Sequence, residues 1–305
     1  MTKFTRLRFV VNTDGDSVHY IDLARELSKV ERNLKPQFRN YTVLGGMMKD
    51  SNQNAVARFN VAPDTWPVRT ALRRGKRIWD KMNSQRMKEL GIGDIRPKYH
   101  DFKVLLNADA TTVIDAVDAG GNVITGDEWH DSYYVSEDVD WSSPNATPNR
   151  NADEFRAHIV GPHIAGTGND HDKWSNIGLV ESWIETRVEP ENDQPNVPTT
   201  VQTDPLANLF DESDADDEVI ENMNEHNDRP PYDEDVCYGM QYGSIAGVGE
   251  NLARVSMAAT QSGAGQIASI PGFTALCGLV QLHLTGDDTG DVEFLLDVVT
   301  KGDKI

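Results

Sequence analysis

Two cysteines in 305 residues, Cys237 and Cys277, cannot supply a disulfide framework. Cys277 lies in an apolar run and reads as a packed thiol. No run approaches the ~18 apolar residues of a membrane-spanning helix. The N-terminus, MTKFTRLRFVV, lacks the apolar core and small-residue cleavage site of a signal peptide, so the expectation is a soluble protein made in the cytosol. The motifs of common chemistries are missing as well. There is no phosphate-cradling GxxxxGK[ST], no G-x-S-x-G and no H-E-x-x-H. Residues 239–249 are Gly-rich but contain no Lys. His158, His163, His171 and His130 sit near acids, but none has the i, i+4 spacing of a helical ligand pair. Asn12, Asp14 and Asp16 open like a calcium loop, yet the Gly is misplaced and no Glu closes the loop, which makes a solvated turn. No catalytic residue, metal or cofactor is assigned.

Basic residues are scarce in one part of the chain and dense in another. The formal charge is −20, but residues 1–103 balance to +10 and residues 104–305 to −30. Such asymmetry fits a polyanion partner on one side and a solvated acidic face on the other; it also fits simple pairing of the two parts. The cations concentrate in 65–90, TWPVRTALRRGKRIWDKMNSQRMKEL. Val68, Ala71, Leu72, Gly75, Ile78, Trp79 and Met82 recur at helical spacing. Thr65 can cap this helix, Pro67 fits its first turn, and Gly91 stops it. The other face carries Arg69, Arg73, Arg74, Lys76, Arg77, Lys81, Arg86 and Lys88, opposed only by Asp80 and Glu89. These eight cations are the candidate nucleic-acid-binding residues, because affinity for a polyanion grows with each phosphate neutralised.

Along the chain, 5–12 alternates as a strand and 20–34 places Tyr20, Leu23, Ala24, Leu27, Val30 and Leu34 on one helical face, with Asp22 as N-cap. The cations of this helix are partly offset by Glu26 and Glu31. Strands are expected at 41–48 and 55–61. A strand restarts within 95–106, and 107–131 suggests a further pair turning at Gly120-Gly121. Strands follow at 154–160 and 177–188. Residues 204–235 hold 13 acids against Arg229 alone and read as a solvated face with a short helix near Val219–Met223. Strand character returns at 252–258, in the apolar run 273–285 and in 292–300, the last two joined as a hairpin through GDDTG. Roughly ten strands with inserted helices and no β-α-β-α alternation point to a mainly β, antiparallel sandwich, with a jelly roll as its leading form.

The order YIDLARELSKVERN, TWPVRTALRRGKRIWDKMN, IRPKYHDFKV, GLVESWIETR, LANLFDESDADDEVIENM and FTALCGLVQLHL resembles capsid proteins of small circular single-stranded DNA viruses. The resemblance implies a viral jelly-roll subunit, one domain over 1–305, with a basic helical insertion at 65–91 and an acidic segment at 204–235. It implies self-assembly into an icosahedral shell around a DNA genome, with other virion proteins as further partners, in a virion made in the host cytoplasm. The cations of 69–88, with Lys3, Arg6 and Arg8, would face the genome. The long basic arm that many such proteins carry is reduced here to those last three. A double jelly roll is the variant form, and ten strands are too few for two complete rolls. A β-sandwich module binding glycans or a cell surface is the other class, with Trp129, Trp141 and Trp174 as stacking platforms. An enzyme with scattered residues is a third.

Overall fold

The computed structural model describes residues 4–13, 15–50, 54–91, 99–126, 128–140, 149–165, 174–186, 252–260, 267–286 and 290–305. The chain divides into two compact units, Met1–Ile184 with Tyr238–Ile305, and Glu185–Cys237. Nearly all described residues belong to the first, which is taken by itself. The acidic stretch 204–235 and Trp141 lie outside the described residues.

In chain order the elements are β1 (Thr5–Thr13), β2 (Ser17–Asp22), α1 (Leu23–Glu31), β3 (Arg39–Asp50), β4 (Val56–Val61), α2 (Trp66–Glu89), β5 (Tyr133–Asp140), β6 (Asn149–His158), β7 (Ile164–Ala165), β8 (Trp174–Gly178), α3 (Leu179–Glu185), β9 (Ala253–Ala259), β10 (Ile267–Ile270), β11 (Phe273–Leu276), β12 (Leu279–Thr285) and β13 (Gly290–Lys304). The protein is mainly β. One sheet runs β1-β13-β3-β10, with β11 also on β3; a second runs β2-β12-β4-β9. Every pair in these two sheets is antiparallel.

Alternation explains β1. Leu7, Phe9 and Val11 are buried and oppose Leu296, Phe294 and Val292 of β13. Arg6 and Arg8 point the other way and bond Asp297 (2.6 Å) and Glu293 (2.6 Å) across the sheet. The inward faces of both sheets share one core. In it Phe59 of β4 meets Phe294 of β13 edge-to-face at 6.0 Å and Phe273 of β11 at 5.6 Å. That is sandwich packing.

The pairing is nested. The first strand pairs with the last (β1 with β13), the second with the next to last (β2 with β12), the third with β10 and β11, and the fourth with β9. β13 then also joins β3, and β12 joins β4.

Several expectations change. The apolar run 273–285 is two strands in different sheets, broken where Cys277 (φ 57°) and Gly278 (φ 71°) turn left-handed. A Cβ on Gly278 would stand 2.9 Å from Tyr41 Cδ2, so glycine fits the turn. Cys277 is a buried free thiol, as its apolar setting suggests, and burial raises its pKa. β12 and β13 form no hairpin ladder: each pairs only within its own sheet. Of the strand expected over 177–188, only Ile177 and Gly178 belong to one, as the end of β8; α3 follows from Leu179 to Glu185, and 187–188 lie outside the described residues. Residues 99–126 hold only isolated bridges, among them Val117 with Val123 across the expected turn. The expected 20–34 helix is shorter, because Ser17–Asp22 pairs with β12 before α1 begins.

The connection from β4 to β9 spans residues 62–252. It carries α2, α3 and a third sheet, β5-β6-β8-β7, in which β6 and β8 run parallel. A second core lies under this insertion, built from Val68, Leu72, Trp79, Phe102, Leu106, Ile159 and Val180. Tyr20 and Leu279 join it from the second sheet.

Candidate nucleic-acid interface

The basic helix forms where its pattern places it. α2 spans Trp66–Glu89, with Pro67 in the first turn. Thr65 precedes it in extended conformation, but its hydroxyl makes no capping bond and Oγ1 is buried without a partner. Pro67, Val68, Ala71, Leu72, Gly75 and Trp79 are buried. Ile78, expected on that face, is 55 % exposed. The packing is closest at Gly75, where a Cβ would sit 2.9 Å from Leu179 Cδ2 of α3, and Tyr134 donates its hydroxyl to the Gly75 carbonyl at 3.0 Å.

The eight candidate cations divide into groups. Arg69 pairs with Asp64, whose carboxyl it holds below the ordinary range through their hydrogen bonds. Lys76 bonds Asp80 at 2.8 Å and lies over the rings of Phe38 and Trp79. Arg86 stands 4.0 Å from Glu89. Arg74 is exposed and has an interaction partner of its own. Arg73, Arg77, Lys81 and Lys88 are exposed and make no ion pair among the described residues. At ~100° per residue these four, with Arg74, fall within an arc of about 100° on the face opposite Leu72 and Trp79. Arg73 and Lys88 are about 22 Å apart along the axis at 1.5 Å per residue. The arrangement is a straight cationic stripe on a rigid, anchored rod.

The cations of α1 are held differently. Arg25 bonds Asp115 at 2.8 Å, and Lys29 bonds both Glu26 (2.8 Å) and Asp115 (2.6 Å). Glu26 is fully buried, and its other oxygen accepts the Ala116 N–H at 2.8 Å. Asp22 does cap α1, accepting the Arg25 N–H at 3.0 Å. Its Oδ2 accepts from Gln37 Nε2 and Trp129 Nε1, each at 3.1 Å. Burial pushes this carboxyl up to about 6, against the pull of its hydrogen-bond donors. Trp129 is thus half-buried and bonded rather than an open stacking platform. Arg6 and Arg8 are likewise bonded across the first sheet, while Lys3 lies outside the described residues.

His158, His163 and His283 hold structural bonds, and His171 lies outside the described residues. His158 is buried, bonded through Nδ1 to Asn176 Oδ1 at 2.7 Å, and its pKa is lowered by burial. His163 Nδ1 accepts the Gly178 N–H at 3.0 Å. Asp16, from the calcium-like turn, bonds His283 at 2.7 Å. Among the described residues no three His, Cys, Asp or Glu side chains gather into a metal-binding group. No helix among the described residues is long and apolar enough to cross a membrane.

Sequence reasoning missed a cleft of about 1930 Å³ on the side of α2 away from the stripe, shared with α1 and with the segments around Lys103 and Trp129. Four stretches distant in sequence build it, and only the Trp129 stretch gave a local signal. No protein family profile, curated protein or solved structure matches this chain.

Proposed function

We propose that the chain is a structural subunit of a viral capsid, a jelly roll that self-assembles into a closed icosahedral shell around a single-stranded DNA genome. The observation that carries this reading is the nested strand order. Numbered one to eight along the chain, with β10 and β11 as one edge position, the strands lie 1-8-3-6 in one sheet and 2-7-4-5 in the other. A long antiparallel hairpin rolled around a core would give this order, which supports the jelly-roll reading. Only one such set of eight is present among the described residues, which favours a single roll over a double one.

The long insertion between the fourth and fifth strands supplies surface beyond what the sandwich core requires, as a shell contact needs. The stripe of Arg73, Arg77, Lys81 and Lys88 is the genome contact, joined by Arg74. The overall charge of −20 is no obstacle to it, because phosphate contacts act within about a Debye length, ~8–10 Å at physiological salt. A glycan-binding module has less support, because Trp129 is engaged with Asp22.

The test is negative-stain electron microscopy of the purified protein beside its mass from light scattering. Uniform closed particles of megadalton mass are the expected result, with absorbance at 260 nm reporting enclosed nucleic acid. A persistent 33.9 kDa monomer or small oligomer across salt and calcium conditions would refute the shell.

A further inference from the structure

The two sandwich sheets differ in what covers their outer faces. Tyr20 and Leu279 of the second sheet are buried in the core beneath the long insertion. On the first sheet, outward side chains stay open among the described residues: Val10 of β1, Met47 of β3, Leu44 of β3 (51 % exposed) and Ile267 of β10 (65 %). Met47 stands opposite Leu295 of β13 and Ser269 of β10, so apolar groups adjoin across three strands. Leu44 is raised by a bulge. The ladder passes from Gly45 opposite Asp297 to Val43 opposite Val298 and leaves Leu44 without a partner in β13. Beside this knob the sheet is hollowed. A dent of about 230 Å³ is lined by Gly45, Met47 and Leu295, with Arg6 and Asp297. It exists because Gly45, opposite the outward Asp297, has no side chain; a Cβ there would meet only the Ile270 carbonyl oxygen, at 3.5 Å. The charges of the face balance. Arg6, Arg8 and Lys49 share it with Asp297, Glu293 and Asp291, and both arginines already bond a carboxylate.

A knob and a hollow side by side on an electrically balanced face fit the same face of a second copy. A two-fold axis between two such faces sets each Leu44 in the other's hollow, and every contact occurs twice. Covering the arginines leaves no charge stranded, because each keeps its carboxylate within its own copy. A polyanion or an anionic lipid surface calls for unbalanced cations, which the α2 stripe has and this face lacks. We infer that two copies of this chain pair back to back through the outer face of the first sheet, with Leu44 of each seated over Gly45 of the other. The face measures roughly 15 Å by 25 Å, from strands ~4.8 Å apart that rise ~3.4 Å per residue, which is near the lower end for a specific contact. The pair is therefore weak, with a dissociation constant on the order of tens to hundreds of micromolar. This inference goes beyond the shell reading and does not require it, since two copies can pair whether or not a shell closes.

The experiment is sedimentation velocity of the full-length protein over a concentration series reaching about 300 µM, beside its Gly45→Val and Leu44→Asp variants. Gly45→Val fills the hollow and Leu44→Asp removes the knob. Gly45 has no left-handed φ and its outward space is open, so valine, which strands favour, should leave the melting temperature of the dilute protein unchanged or raised. The wild type is expected to form a species of twice 33.9 kDa, or larger particles that contain it. Each variant should raise the concentration needed for association at least tenfold, as expected for a central contact. Wild-type association in both variants would overturn the inference. So would a lowered melting temperature of dilute Gly45→Val, which would mean that a segment of the same chain occupies the hollow. Loss of oligonucleotide binding in Gly45→Val would reassign the face to nucleic acid and overturn it as well. Particles that assemble normally from both variants would sink this contact and keep the shell. A dimer that both variants abolish, with no particles from the wild type, would sink the shell and keep the contact.

Discussion

The two long-range helices of the sandwich's connections carry cations to different ends. On α1, Arg25 and Lys29 are tied to Glu26 and Asp115, and Glu26 itself is fully buried. On α2, Arg73, Arg77, Lys81 and Lys88 stand exposed without ion pairs among the described residues. In sequence both helices look basic on one face. The difference is whether a carboxylate from elsewhere in the chain reaches the cation. A buried pair is costly to break because the surviving charge cannot be resolvated, whereas an exposed cation can be reversed with little effect on folding.

That contrast is broken most sharply at Glu26. Glu26→Ala strips Lys29 and the Ala116 N–H of their buried acceptor and should cost about 3–5 kcal/mol, read from denaturant unfolding. A loss below ~1 kcal/mol would make the α1 pairs as dispensable as surface ones. Next is the pH profile. Asp22 has a folded pKa of about 6 against an ordinary 3.8, so the folded state holds its proton over a window where the unfolded state has lost it. Its contribution is therefore fully present below about 3.8 and lost as pH rises through about 6, by up to roughly 3 kcal/mol. The difference in unfolding free energy between wild type and Asp22→Asn, followed from pH 4 to 7, should show this slope. A flat difference would mean that the three donors keep Asp22 ionised throughout. At neutral pH the same substitution turns an amide N–H₂ toward the donors of Gln37 or Trp129 and should destabilise by about 1–3 kcal/mol.

On α2 the expected effects move from stability to binding. Reversing Arg73, Arg77 and Lys81 to Glu should change stability by no more than ~0.5 kcal/mol per site while reducing packaged nucleic acid. In a salt titration of oligonucleotide binding, the four stripe cations should contribute about −3 to the slope of log K against log salt, at roughly −0.7 per phosphate on single strands. An unaltered slope in the triple variant would place the phosphate contacts elsewhere. The smallest effect is expected at Lys76→Met. It removes an exposed i, i+4 pair worth about 0.3–0.5 kcal/mol, and a larger loss would show that the Phe38 and Trp79 contacts matter more than the charge.

Local patterns were legible in the sequence and long-range partners were not. β1, the Asp22 cap and α2 follow from alternation, a capping residue and 3.6-residue spacing, which are properties of a few neighbouring residues. The short apolar stretch 179–185 fits a strand or a helix equally well by pattern, and packing of Leu179 against Gly75 belongs to the helix. The 273–285 run hid its break because Cys277 is apolar and Gly278 alone marks the turn. Adjacency in sequence suggested a β12–β13 hairpin, but each strand reaches partners far upstream. The cleft has the same character, with Lys103, Trp129, Arg32 and Tyr99 drawn from separate segments.

The nested order also sets a timetable. β13 pairs with β1 across nearly the whole chain, Thr5 opposite Val298, and also fills the place beside β3. While the polypeptide emerges from the ribosome, its first four strands wait with open edges and no lasting neighbour. Neither sheet can close until the final segment is synthesised, so this topology of distant contacts folds late and as a whole. A nascent or truncated chain then has unpaired strand edges and no finished sandwich. The order of the strands alone withholds a closed sandwich from an incomplete chain.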